Sequence, residues 1–223
     1  MSAARPISSR RAASALLGFA LAAAPAWALD WENRELSVRV APLQAEVAVE
    51  FSFVNSGDQP VAIAEIRTNC DCLAAESDRP RYAPGERGVI KARFTTGDRL
   101  GLYERSILVV TDEGGDPARL AVKVDVPAPA EASPRTVDWR VNAAAEPRAI
   151  ELAVAPELAI DFTSAVSTGA GFDVRLEPVE AGRRYRVVVM PKSTAERTSA
   201  AIRIRGTERA GREVTISAYA YVR

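Results

Sequence analysis

The chain has 223 residues, 29 Lys plus Arg against 29 Asp plus Glu, two cysteines and no histidine. So even a charge balance gives no electrostatic footprint for nucleic acid or an anionic membrane surface, and without histidine there is no Ser-His-Asp triad and no histidine-ligated zinc. The length suits one large domain or two of about 100 residues, either able to bury a core of its own.

At the start, Arg5, Arg10 and Arg11 precede a mostly apolar run at 12–24, Pro25 ends it, and Ala26-Trp27-Ala28 puts small residues where a signal peptidase reads. Residues 1–28 are therefore expected to be a secretory signal peptide, giving a mature chain from near Leu29 and a periplasmic or secreted location. The run is too short and too rich in alanine for a membrane-spanning helix, which needs about 20 strongly apolar residues, and no comparable run follows. No cysteine sits at the cleavage site to carry a lipid. Ser9-Arg10-Arg11 resembles a twin-arginine signal, but Ala12 and Ala13 stand where such signals carry larger apolar residues, so the general secretion route is expected. Loss of the three arginines leaves 26 basic and 29 acidic side chains, a net of −3.

From Glu46 the sequence alternates, with Val47, Val49, Phe51 and Phe53 on one face and Glu46, Glu50 and Ser52 on the other. That period of two predicts a half-buried strand. Asn55-Ser56-Gly57-Asp58 supplies a turn, 60–66 the next strand, and Pro84-Gly85-Glu86 another turn. Strands follow at 89–94, 103–111 and 120–126. Short strands with turn signals about every ten residues, and no helical period after the signal, predict an immunoglobulin-type antiparallel sandwich over 29–126. Residues 127–134 hold Pro127, Pro129 and Pro134, which lack ladder donors and stiffen the backbone, so this stretch is expected to be a Pro/Ala-rich linker. The same grammar resumes at 150–154, 160–166, 172–176, 185–190, 200–205 and 214–222, predicting a second immunoglobulin-like sandwich over 135–223. The expected fold class is thus all-β, with two tandem sandwiches.

Several motifs in the first half carry a resemblance: Phe51-Ser52-Phe53-Val54-Asn55-Ser56-Gly57, Pro60-Val61-Ala62-Ile63, Asn69-Cys70-Asp71-Cys72, Tyr82-Ala83-Pro84-Gly85-Glu86, and the run from Gly101 to Asp112. In this order they resemble the bacterial domain of unknown function fifteen seventy-three. The resemblance implies an immunoglobulin-like sandwich related to major-sperm-protein domains and typical of exported proteins, and it brings no assigned activity. The family's usual motif is Cys-Gly-Cys followed by threonine; Asp71 and Leu73 stand at those positions here, and loss of the glycine removes backbone freedom where a tight bend is needed.

Cys70 and Cys72 are the only cysteines and the focus of any chemistry. On an extended strand they would share a face about 6.5 to 7 Å apart, at the upper edge of disulfide geometry, so a bridge requires a bend. Three roles stay open: a structural pair, bridged or buried as small apolar residues; a labile dithiol for redox exchange; and two thiolates gripping Cu(I). Outward-pointing sulfurs favour chemistry, and packed sulfurs favour structure. Zinc would need further ligands from carboxylates or a second chain.

Other groups are weaker. Asp58, Asp71, Glu76, Asp78 and Glu86 lack the ligand spacing of a calcium loop and read as a solvated face. Ser164, Ser167 and Thr168 have no histidine partner. Arg183, Arg184 and Arg186 are expected to keep the second sandwich soluble and protect a strand edge, and Trp31 and Trp139 to pack in cores or at the domain junction. No catalytic residue is assigned. The expected function is a non-catalytic interaction or scaffolding protein of the bacterial periplasm or envelope, its partner another envelope protein; the alternative is a dithiol redox or Cu(I)-handling protein using Cys70 and Cys72.

Overall fold

The computed structural model describes residues 28–223, so the expected signal peptide, Ala28 apart, lies outside the described residues. The first half contains β1 (Leu29–Trp31), β2 (Glu35–Arg39), β3 (Glu46–Asn55), β4 (Val61–Thr68), β5 (Leu73–Ser77), β6 (Arg81–Tyr82), β7 (Arg87–Thr95), β8 (Gly101–Thr111) and β9 (Ala118–Val126). The second contains β10 (Ala130–Ser133), β11 (Thr136–Trp139), β12 (Arg148–Val154), β13 (Ile160–Ser167), β14 (Phe172–Glu180), β15 (Arg184–Pro191), β16 (Thr198–Glu208) and β17 (Glu213–Val222). All of these are strands, and no helix occurs among the described residues.

The two halves repeat one topology. The first has sheets ordered β1-β3-β7-β5 and β2-β9-β8-β4-β6, the second β10-β12-β15-β14 and β11-β17-β16-β13. In each, the first strand is split so that its two pieces serve opposite sheets, β1 and β2 in one case and β10 and β11 in the other. The second piece lies parallel to the last strand of its half, β2 on β9 and β11 on β17. These edge pairs are the exception to the expected antiparallel pairing.

Period-two patterning explains both cores. β7 alternates exposed Arg87, Lys91 and Arg93 with buried Gly88, Ile90, Ala92 and Phe94, and β9 buries Leu120, Val122, Val124 and Val126. Each large apolar side chain taken fully from water contributes about 1.5–3 kcal/mol. Trp31, Phe53 and Tyr82 pack in a row, the first pair tilted and the second edge-to-face, with successive ring centroids 4.8 Å apart. β7 passes against these rings at Gly88, where a Cβ would lie 2.3 Å from Tyr82 and 2.4 Å from Phe53. Trp139 and Phe172 anchor the second core, 5.9 Å apart. Both tryptophans are thus core residues. The loop after β2 reaches the second half: Leu43 packs on its core and Arg212 donates to the Leu43 carbonyl.

One segment departs from expectation. Within the stretch read as a linker, the four residues of β10 pair with β12, Ala130 opposite Val154 and Ser133 opposite Glu151. The physical reason is the placement of the prolines: Pro127, Pro129 and Pro134 bracket residues 130–133, which keep their amide donors and complete a ladder between them.

Candidate functional site

β4 and β5 belong to opposite sheets, and residues 69–72 make the crossing. The chain turns there: the Leu73 amide donates to the Cys70 carbonyl at 3.2 Å and the Thr95 amide to the Cys72 carbonyl at 2.8 Å. The turn draws the Cα atoms of Cys70 and Cys72 to 5.2 Å and the two are disulfide-bonded, inside the usual range for a bridge. Asp71 is exposed at the apex. Among the described residues the non-glycine positions with positive φ are Leu43 and Asn142, so this turn does not need the glycine that the family motif carries.

The two sulfurs have unequal surroundings. Cys72 is 5% exposed and belongs to the first core, while Cys70 is only partly buried against it. Neither alternative expected from the sequence, both outward or both packed, describes the pair. Arg105 Nε donates to Cys72 Sγ at 3.4 Å. Its guanidinium is fixed from two other sides, 5.2 Å from the Tyr103 ring centroid and with Nη1 donating to the Glu104 carbonyl at 2.8 Å. In the bridged form neither sulfur is a thiolate free to ligate copper.

Arg105 lies on β8, whose two ends differ. Residues 107–109 sit between β4 and β9, but residues 101–105 have β9 as their ladder partner and none on the other side among the described residues. Asn69 closes the last paired position, its amide donating to the Ser106 carbonyl and its Oδ1 accepting from the Ser106 amide. Beyond it the strand edge is open and carries Leu102, 84% exposed, next to Leu100, 51% exposed. The equivalent place in the second half is covered. There the turn after β13 continues over the start of β16: Thr168 bonds Ala201 through both its amide and its hydroxyl, and Gly169 and Gly171 approach Ala200 and Thr198 closely. Sequence reasoning missed this edge. Its one signal was Leu100 and Leu102 on either side of Gly101, large apolar residues at a place where turn residues are expected.

Several of the remaining candidates help to hold the fold together. Desolvation pushes the Asp78 carboxyl up, but hydrogen bonds from Tyr82, the Val89 amide and Arg79 outweigh it and hold the group below its ordinary range. Glu86 accepts from the Ala83 amide and pairs with Arg79. Ser167 bonds within its own turn. Arg183 donates to the Pro156 and Leu158 carbonyls, while Arg184 and Arg186 pair with Glu180 and Glu151. β15 lies between β12 and β14, so Arg184 and Arg186 do not protect an edge; they pair with acids on the flanking strands, while Arg183 ties down the turn before β15.

No curated protein matches the chain. Similar solved structures include the VesB protease of Vibrio cholerae, at 12% identity and TM-score 0.39 over 44% of this chain and 32% of that one. A protein of unknown function from Porphyromonas gingivalis W83 has 13% identity and TM-score 0.34 over 88% and 100%, and the YadV chaperone 12% and 0.33 over 86% and 100%. This chain spans about a third of the VesB protease, and scores this low support no argument about function. The first sandwich is different: residues 29–126 match the family described as protein of unknown function (DUF1573), which is the family that the motifs from Phe51 to Asp112 resemble.

Proposed function

We propose that the chain is a non-catalytic interaction or scaffolding protein, exported to the bacterial periplasm or envelope, that takes up an extended segment of another envelope protein on the free edge of β8. The observation that carries this reading is the uncovered edge at residues 101–105 with Leu102 84% exposed. Exposed edges are normally blunted by charge, proline or a covering loop, because unpaired amides and carbonyls recruit other strands. The second half has such a cover and the first does not. An added strand would gain main-chain hydrogen bonds along β8 and place an apolar side chain against Leu100 or Leu102. Of the hydroxyls and acids singled out in the sequence, Ser167, Thr168, Asp78 and Glu86 are engaged in turns, strand contacts and ion pairs.

The reading is tested with a photoreactive residue at position 102 in the mature protein within its native envelope, and a control at Val166, exposed on β13 of the second half. Adducts that form from position 102, map to one extended segment of a partner and vanish when Leu100 is changed to Asp support it. Equal adducts from both positions, or none from 102, contradict it.

A further inference from the structure

We propose that the Cys70–Cys72 bridge is a thiol–disulfide exchange centre in which Cys70 Sγ is attacked and Cys72 leaves as a thiolate stabilised by Arg105. This assigns an activity to the turn and stands whether or not a partner strand binds β8.

Four observations converge on it. The sulfurs are unequal, Cys72 being 5% exposed within the core and Cys70 only partly buried, so an incoming thiol has access on the Cys70 side. The leaving sulfur already accepts a hydrogen bond from Arg105 Nε at 3.4 Å, and a guanidinium there lowers the proton affinity of the departing thiol, which speeds its departure. Arg105 is held in place by Tyr103 and the Glu104 carbonyl, so the charge is in position before the bond breaks. The bridge is also a poor staple. It spans a sequence separation of 2, and closing so short a loop restrains the unfolded chain far less than a bridge across a long loop does.

The co-reactant is an exported dithiol. One of its thiolates attacks Cys70 Sγ; a mixed disulfide forms, the Cys70–Cys72 bond breaks, and its electron pair leaves on Cys72 Sγ beside Arg105. The co-reactant's second thiol gives its proton to water and attacks its own sulfur in the mixed disulfide. Its disulfide closes, and Cys70 departs as a thiolate that takes up a proton. Two electrons pass from the co-reactant, now oxidised, to the Cys70–Cys72 pair, now reduced.

Oxidised mature protein is exposed to glutathione under native conditions, quenched in acid, capped with N-ethylmaleimide and digested; fragment ions on either side of Asp71 assign the adducts. Glutathione on Cys70 in at least about tenfold excess over Cys72 is expected, because attack is directed to the accessible sulfur. Arg105→Met should slow the exchange about tenfold, and Arg105→Lys should restore most of the rate, as expected for a cation acting on the thiolate. Glutathione on Cys72 or equally on both, reaction only after unfolding, or an unchanged rate in Arg105→Met overturns the proposal. Because attack-site selectivity is read in the wild-type protein, the outcome does not depend on how well a variant folds.

Discussion

Asn55 is 0% exposed at the end of β3 and holds the first sandwich's main turn. Its Nδ2 donates to the Gln59 carbonyl at 2.8 Å and to the Tyr82 carbonyl at 3.0 Å, and its Oδ1 accepts from the Gly57 amide at 3.0 Å. Asn55→Ala removes all three. A net value of about 1 kcal/mol suits the Gln59 and Gly57 bonds, which lie near water, whereas stranding the buried Tyr82 carbonyl costs about 1–3 kcal/mol. The expected loss is therefore about 3–5 kcal/mol, or roughly 12 °C or more of Tm for a domain near 100 residues. Denaturant unfolding followed by tryptophan fluorescence reads it, since Trp31 and Trp139 report on separate cores. The midpoint seen by Trp31 should fall while that seen by Trp139 stays. A loss below about 1 kcal/mol with the m-value unchanged would refute the reasoning, because it would mean that water replaces Asn55 at no cost.

Gly206→Ala should act on the other core: a Cβ there would lie 2.6 Å from the Asp161 carbonyl oxygen and 2.7 Å from the Phe162 Cα, backbone atoms beside the β13 bulge. Overpacking of this kind costs about 1–3 kcal/mol or more, and a Trp139-reported midpoint equal to wild type would contradict it. Burial and the hydrogen bond to Asp78 push the Tyr82 phenol up to about 12. Its folded value exceeds its unfolded one, so its contribution to stability is full below about pH 10 and fades as pH rises toward 12. Ultraviolet difference titration of wild type against Tyr82→Phe should show the Tyr82 phenol ionising only as the pH nears 12, and its ionisation near pH 10 would count against this. Reducing the Cys70–Cys72 bridge in the wild-type protein should cost only about 1.6 kcal/mol, by the short-loop entropy; a loss of several kcal/mol in thermal unfolding of the reduced against the oxidised protein would make the bridge a structural staple.

Long strands were legible in the sequence because Phe51 and Phe53, Ile90 and Phe94, or Val122 and Val124 must face one side at period two. β5 and β6 were not. Leu73-Ala74-Ala75-Glu76-Ser77 has little apolar contrast, and the two residues of β6 are too few for any period. β10 was hidden by the prolines around it, since composition marks where ladder donors are missing and does not show that those between are used. At the site, the two cysteines and the need for a bend were visible. The contact with Arg105 was not, because it joins residues 33 apart in sequence through the pairing of β8. Of the open edge only Leu100 and Leu102 around Gly101 showed in the sequence; the opening itself did not, because it arises where β4 ends at Thr68 while β8 continues to Gly101. No local pattern encodes a mismatch between the lengths of two strands.

Hydrogen exchange at residues 101–105 tests the central claim most directly, with the amides that do not donate to β9 compared in the isolated mature protein and in the complex captured through position 102. The binding account predicts that these amides exchange far faster than those of residues 107–111 in the isolated protein and become protected in the complex. Amides at 101–105 that are already protected in the isolated protein, or equally fast in both states, would contradict a free edge that receives a partner strand.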